Sequence, residues 1–266
     1  MPEGPEIKIM CDNLQYLKNY EIKDIKILSG RYLKSKLDDL DLLVLNLPLK
    51  INSINVKGKL LYFILENNWI ILNTMGMSGR WTKKYQKHCH IEFSINNFKI
   101  WFCDPRRFGT MKILNNIELL ENKLNSIGPD LLNSDIKESE FIDIMNKHKN
   151  KNICKVLMNQ SIISGCGNYI KSESLYRAKI SPHNNIIDIN KNKLQLLFKS
   201  LKQVMLESYK SQGASISTYY NVNEEKGKYS FEFRVYKKKF DPNGNKVISE
   251  KTPDGRTSHW VKEIQT

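Results

Sequence analysis

The first six residues, MPEGPE, gather groups that suit covalent chemistry on a sugar. A Met before a small residue is normally removed, which would leave Pro2 with a free secondary amine. An α-amine titrates at about 8 and a lysine at about 10.4, so a fair share of such amines is nucleophilic at neutral pH. Attack on a sugar C1′ gives an iminium that stays cationic without a proton. That cation is an electron sink and favours β-elimination of the 3′ phosphate. Glu3 would stand beside the reacting sugar as a general acid whose pKa burial can raise. Glu6, one helical turn on, would buffer or orient the first two. A second reading is equally open on the string alone: PEGPE as a rigid, capped helix start. Pro5 fixes φ and disfavours helix at the residue before it, so the sequence predicts a poor helix start here. Neither a positive stretch nor an apolar core follows, so the segment does not read as a secretory signal.

Four further stretches carry chemistry. In VKGKLLYFIL, Lys57 and Lys59 sit two apart at an expected strand start, hence on one face, where a lysine holds a phosphate as a point charge. NTMGMSGRW and CDPRRFG place Met77, Arg106 and Phe108 on loops between strands. An apolar or aromatic wedge fills the hole left when a nucleotide leaves a duplex, and an arginine pairs with the orphaned base. An ordinary glycine turn and a salt-bridged arginine pair would look the same. ISGCGNY puts two glycines before a short helix, whose N-terminus suits a phosphate, and Asn168 adds a donor. TPDGRTSHW sets Arg256 at the tip of a hairpin turn, able to fork onto a phosphate or simply to face solvent. His88, Cys89 and His90 alternate across a strand with no second ligand pair nearby, and no cysteine follows Cys166, so no metal site is expected.

The elements that must position these groups fall into three stretches. Ile7, Met10, Leu14 and Leu17 repeat with a helical period. LLYFIL, WIILNTM, HIEFSI and FKIWFCD then read as strands of a compact antiparallel β domain, with hairpins at ENNW and SINNFKI. A helical stretch follows, with Ser134 as N-cap near Glu138, two short helices around the glycine turn, and a long helix ending at Gly213. FEFRVYKKKF returns to β character before a final hairpin with turns at PNGN and PDGR. The fold class is α+β: an N-terminal antiparallel β-sandwich with a leading helix over 1–118, a helical domain over 119–218, and a C-terminal hairpin over 219–266. The chain has 266 residues, 42 basic and 28 acidic, for a net charge of +14. That balance points to nucleic acid rather than an anionic membrane, since no basic amphipathic helix with a bulky apolar face stands out. No apolar run nears the roughly 18 residues of a membrane span. Five scattered cysteines without C-x-x-C suggest mostly buried free thiols and a reducing, intracellular compartment.

MPEGPE, VKGK, GMSG, HCHIEF, DPRRFG, LMNQSIISGCGNYIKSESLYRAKISP and the final hairpin occur in one order along nearly the whole chain. In this the chain resembles the formamidopyrimidine-DNA glycosylase/endonuclease VIII family of DNA-repair enzymes. The resemblance implies a helix–two-turn–helix in the helical domain, and Pro2 as the Schiff-base nucleophile with Glu3 as acid. It makes Glu6 a structural glutamate and prefers Lys59 to Lys57 as the catalytic lysine. His90, Arg106, Asn168 and Tyr236 become DNA contacts, Met77, Arg106 and Phe108 the void-filling set, and Arg256 the finger arginine assigned to δ-elimination. The family's four zinc cysteines are absent, which resembles the zincless fingers of some members. Cys154 stands where many bacterial members have a lysine, and 219–229 leaves little room for a long loop over a flipped purine. The expectation is a bifunctional DNA glycosylase/AP lyase without cofactor, acting as a monomer on damaged DNA. Oxidised pyrimidines and ring-opened purines are favoured over 8-oxoguanine. The alternatives are an AP lyase with little glycosylase activity or a non-catalytic lesion-binding protein.

Overall fold

A computed structural model describes residues 2–214 and 233–266, so the stretch 219–229 lies outside the described residues. The chain divides into two compact units, one of residues 1–126 with 211–230, the other of residues 127–210 with 231–266.

The first unit opens with α1 (Gly4–Leu14), which begins earlier than the prolines suggest. Pro5 lies in the first turn, where helical N–H groups have no intrahelical partner and a residue lacking one costs nothing. Ile7, Met10 and Leu14 bury the inner face of α1. Strand β1 (Glu21–Ile27) and a short helix α2 (Leu40–Leu45) follow. Next come β2 (Leu49–Lys57), β3 (Leu60–Leu65), β4 (Ile70–Thr74) and β5 (Arg80–Thr82). Then β6 (Cys89–Ile95), β7 (Phe98–Cys103), β8 (Thr110–Leu114) and α3 (Ile117–Asn125) complete the unit. The antiparallel strands pair in the order β5-β7-β6-β1-β2-β3-β4-β8. Two four-stranded halves are joined edge to edge where Glu21 and Ile22 of β1 pair with Lys50 and Leu49 of β2. The halves share one core, in which Trp81 lies edge-on to Phe63 at 5.6 Å and to Phe93 at 4.9 Å. This is the expected β-sandwich with a leading helix.

Three local expectations are corrected in this unit or the next. Lys57 ends β2 and Lys59 occupies the turn into β3, so the two do not share a strand face. Cys89 and Cys103 sit at one register position of β6 and β7 and are joined in a disulfide, whereas Cys11, Cys154 and Cys166 are free and buried. In the second unit, α4 (Glu138–Lys147) is capped at Lys137, whose N–H donates to Glu140 Oε2 at 3.2 Å. The Ser134 hydroxyl instead donates to the Asp130 carbonyl, closing a separate turn.

The rest of the second unit consists of α5 (Ile153–Met158), α6 (Asn168–Arg177), α7 (Lys191–Lys210) and the hairpin β9 (Ile248–Lys251) and β10 (Thr257–Trp260). Asn152 caps α5, accepting from the N–H groups of Cys154 and Lys155. The hairpin packs through Val247 and Val261 on Tyr176 and Val235. The VYKKK stretch forms bends and turns instead of a strand. The cause is Glu173: its buried carboxylate accepts from the N–H groups of Arg234, Val235 and Tyr236, which a ladder would need. Among the described residues no helix is long and apolar enough to cross a membrane.

Candidate functional site

At the start of α1 the carboxylates are buried, with Glu3 2% and Glu6 0% exposed, and Pro2 is buried beside them. Glu6 Oε2 accepts from the Glu3 N–H at 2.7 Å, and Oε1 accepts from the Ala214 N–H at 2.9 Å. One carboxylate therefore clamps the first turn and a segment 208 residues away in sequence. The helix start is capped, as the second reading of MPEGPE has it. Lys57 Nζ donates to the Leu124 carbonyl at 2.7 Å, which commits it to the C-terminal end of α3. Lys59 is half-buried in the adjoining turn.

The loops 75–79 and 104–109 are tied together by Asp104, which is 1% exposed. Its Oδ1 accepts from the Ser78 hydroxyl at 2.6 Å and its Oδ2 from the Gly109 N–H at 2.7 Å. The Arg106 N–H in turn donates to Ser78 Oγ at 3.0 Å. Gly76 adopts φ +56°, and a Cβ there would stand 2.5 Å from the backbone of Phe108 and Gly109. These constraints bring Met77, Arg106 and Phe108 to neighbouring loops. Arg106 and Phe108 are exposed, with the guanidinium carbon 5.2 Å from the ring centroid. A planar cation on an aromatic wedge can insert into a duplex and meet a base edge.

His90 is 7% exposed and both ring nitrogens are engaged. Nε2 lies 3.0 Å from the Asp104 carbonyl and Nδ1 2.7 Å from Ser29 Oγ. A carbonyl only accepts, so Nε2 carries a hydrogen towards Asp104. Here His90 braces the Asp104 loop. Arg31 Nη2 donates to the Arg107 carbonyl from the other side, and Arg107 takes φ +59°.

In the second unit, Gln160 pins the glycine turn: Nε2 donates to the Cys166 carbonyl at 2.9 Å, and Oε1 accepts from the Gly165 N–H at 3.1 Å. Asn168 opens α6, and its Nδ2 donates to the Thr257 carbonyl at 2.7 Å. Its Oδ1 is buried and takes no hydrogen bond among the described residues. Arg256 is exposed in the turn between β9 and β10, beside Gly255 at φ +76°. Tyr236 is half-buried, its ring edge-on to Phe233 and His259 at 5.0 Å each. Burial pushes the Glu173 carboxyl up, against the pull of the three N–H donors and Arg177. Burial also pushes the Cys154 thiol up to about 12. Among the described residues no three His, Cys, Asp or Glu side chains gather as metal ligands, and Cys89 is committed to Cys103.

Asp104 and Glu173 are the positioning residues that sequence reading missed. Asp104 had a signal, an aspartate before a proline at a strand end. Glu173 had one too: it lies four residues after Tyr169 and three before Tyr176, a charge on an otherwise buried helical stripe.

Three family models match the chain: the formamidopyrimidine-DNA glycosylase N-terminal domain over residues 1–111, its H2TH domain over 127–220, and its C-terminal domain over 224–266. A formamidopyrimidine-DNA glycosylase of Desulfitobacterium hafniense is 28% identical, covering 91% of this chain and 90% of its own. One from the Wolbachia of Brugia malayi is 29% identical, with both chains covered in full. The Lactococcus lactis glycosylase, solved non-covalently bound to DNA containing an AP site, superposes with a TM-score of 0.86 at 25% identity, over 99% of each chain. The Thermus thermophilus MutM protein shares the fold, with a TM-score of 0.87 at 21% identity over 99% of this chain and 98% of its own.

Proposed function

Since the chain belongs to the formamidopyrimidine-DNA glycosylase family, we propose that it is a bifunctional DNA glycosylase and AP lyase of base excision repair, acting inside the cell as a monomer. The observation that supports the reading is the pair of buried carboxylates next to Pro2, Glu3 and Glu6, with Glu6 accepting from the Glu3 and Ala214 N–H groups at the head of α1.

Once Met1 is removed, the Pro2 amine attacks C1′ of the damaged nucleotide and the bond to the base breaks. Glu3 supplies the proton to the sugar or the departing base. The iminium acidifies the C2′ proton, and its loss expels the 3′ phosphate. A second elimination expels the 5′ phosphate and leaves a one-nucleotide gap. Lys59, Asn168 and Arg256 hold phosphates, Arg256 serving the second elimination. Asn168 also donates to the main chain of β10 at Thr257, next to Arg256. Met77, Arg106 and Phe108 fill the vacated stack. Tyr236 and His90 add further contacts to the DNA. Oxidised pyrimidines and ring-opened purines are the favoured substrates, and the finger works without metal, a reading supported by the lack of any cysteine after Cys166.

Borohydride trapping on abasic DNA tests this reading. The intact protein should form a covalent complex, and Pro2→Gly or a terminally blocked protein should not, while still binding a duplex with a tetrahydrofuran abasic analogue. A complex that survives loss of Pro2 moves the nucleophile elsewhere, with Lys59 the first suspect. Defined-lesion duplexes separate the narrower possibilities: nicking confined to abasic sites marks a lyase, and binding without cutting marks a lesion sensor.

A further inference from the structure

Lys171 lies in the middle of α6 with 0% of its side chain exposed, and Asp254, in the turn between β9 and β10, shows 3%. Nζ and Oδ2 are 2.7 Å apart. The other carboxylate oxygen, Oδ1, accepts from the Thr252 hydroxyl at 2.6 Å. Thr252 Oγ1 also lies 2.7 Å from Ser258 Oγ and 3.1 Å from the Arg256 carbonyl, to which the Thr252 N–H donates at 3.0 Å. A continuous polar chain thus runs from a buried ammonium to the main chain of Arg256. The Gly255 N–H closes the turn on the Thr252 carbonyl at 2.8 Å, Asn168 holds the next strand residue at Thr257, and a Cβ built on Gly255 would meet no atom within 4 Å. Burying two charges costs more than apolar packing would, so such a pair is weak as a source of stability. Its directional bonds can fix one arrangement against others. Proline and glycine flank Asp254 in sequence, and among the described residues no ligand set gathers to close the turn on a metal.

We propose that the Lys171–Asp254 ion pair is the device that presents Arg256, anchoring the arginine turn from α6 in a finger that has no cysteines to bind a metal. Lys171 is thus a positioning residue for the phosphate grip and for the second elimination. This rests on the role given to Arg256 above.

The test compares Lys171→Met, Asp254→Asn and the double variant with Arg256→Ala, all in the full chain. Two readouts are needed: affinity for the tetrahydrofuran duplex, and the ratio of δ- to β-elimination product on an abasic duplex. Each single variant should lower the product ratio by at least about tenfold, the scale of a misplaced catalytic group, and weaken binding towards the Arg256→Ala level. Borohydride trapping should persist, because Pro2 is untouched. The double variant leaves no lone buried charge, so its melting temperature should recover towards the parent while the product ratio stays low. A double variant that melts like the parent and keeps the parent's ratio and affinity overturns the proposal, reducing the pair to a structural contact. A parent protein that traps nothing refutes the lyase reading instead, and the binding comparison then decides the anchoring role alone.

Discussion

Glu6 uses both carboxylate oxygens on main-chain N–H groups, so it is the residue whose chemistry is least replaceable. A glutamine offers one acceptor and one amide donor, and would turn an N–H donor against one of the two partners. Glu6→Gln should therefore cost about 1–3 kcal/mol, read as a lower melting temperature, and slow borohydride trapping as Pro2 loses its fixed place. Trapping at the parental rate in a destabilised Glu6→Gln protein would confine Glu6 to structure. Phe108 behaves oppositely. It is 54% exposed, so Phe108→Ala should leave the melting temperature within about 0.5 kcal/mol of stability. If the ring enters the duplex, the same variant should lose about 1–3 kcal/mol of binding to an abasic-analogue duplex, the scale of one base–aromatic contact. Titration of the two proteins on labelled duplex gives the difference. His90 was expected to touch DNA. Its type and position were legible, but sequence cannot say that Ser29 and Asp104 claim both ring nitrogens.

At the scale of elements, the Asp104 crosslink and Gly76 decide whether the wedge loops hold together. Gly76→Ala demands φ +56° of an alanine and drives its Cβ to 2.5 Å from backbone that cannot yield. It should cost more than about 2 kcal/mol, read in a denaturant titration. The hairpin carries a pH signature. Burial, with Lys237 and Lys171 nearby, holds His259 below its usual value. Burial pushes Asp254 up, but the Lys171 ammonium and Thr252 hydroxyl outweigh it and hold it low. A depressed folded-state pKa gives stability that is present above the unfolded value and lost as pH falls. The melting temperature should therefore fall on acidification below about 6.5, and again below about 4. His259→Phe should shrink the first step, to which His148, held low by burial and by Lys151 and Lys147, also contributes, and leave the second. The strands were readable as short β-rich runs such as LLYFIL and HIEFSI, and the hairpins from their Asn-rich turns. The start of α1 was misjudged because Pro5 is a helix breaker everywhere except the first turn, and position within a helix is not visible in composition. VYKKK failed for a different reason: its competitor for hydrogen bonds, Glu173, lies some 60 residues earlier.

For the whole molecule, the charge of +14 has a direct thermodynamic reading. Each phosphate neutralised releases counterions, so log affinity should fall linearly with log salt, by about 0.9 per phosphate on duplex DNA. Arg256→Ala should lower the slope by about one. An unchanged slope would mean that Arg256 meets no phosphate. Charge was legible at once. What composition hid was the fate of the thiols. No cysteine in this chain offers an accessible sulfhydryl: Cys89 and Cys103 are joined, and Cys11, Cys154 and Cys166 are buried. Burial also keeps two of the three protonated, at about 11 for Cys11 and about 12 for Cys154. Alkylating reagents should thus find the native protein inert, and any adduct marks a moment of opening. Cys11 clocks the sandwich and Cys154 with Cys166 clocks the helical unit, so mass-resolved iodoacetamide uptake would time the two halves separately in one tube.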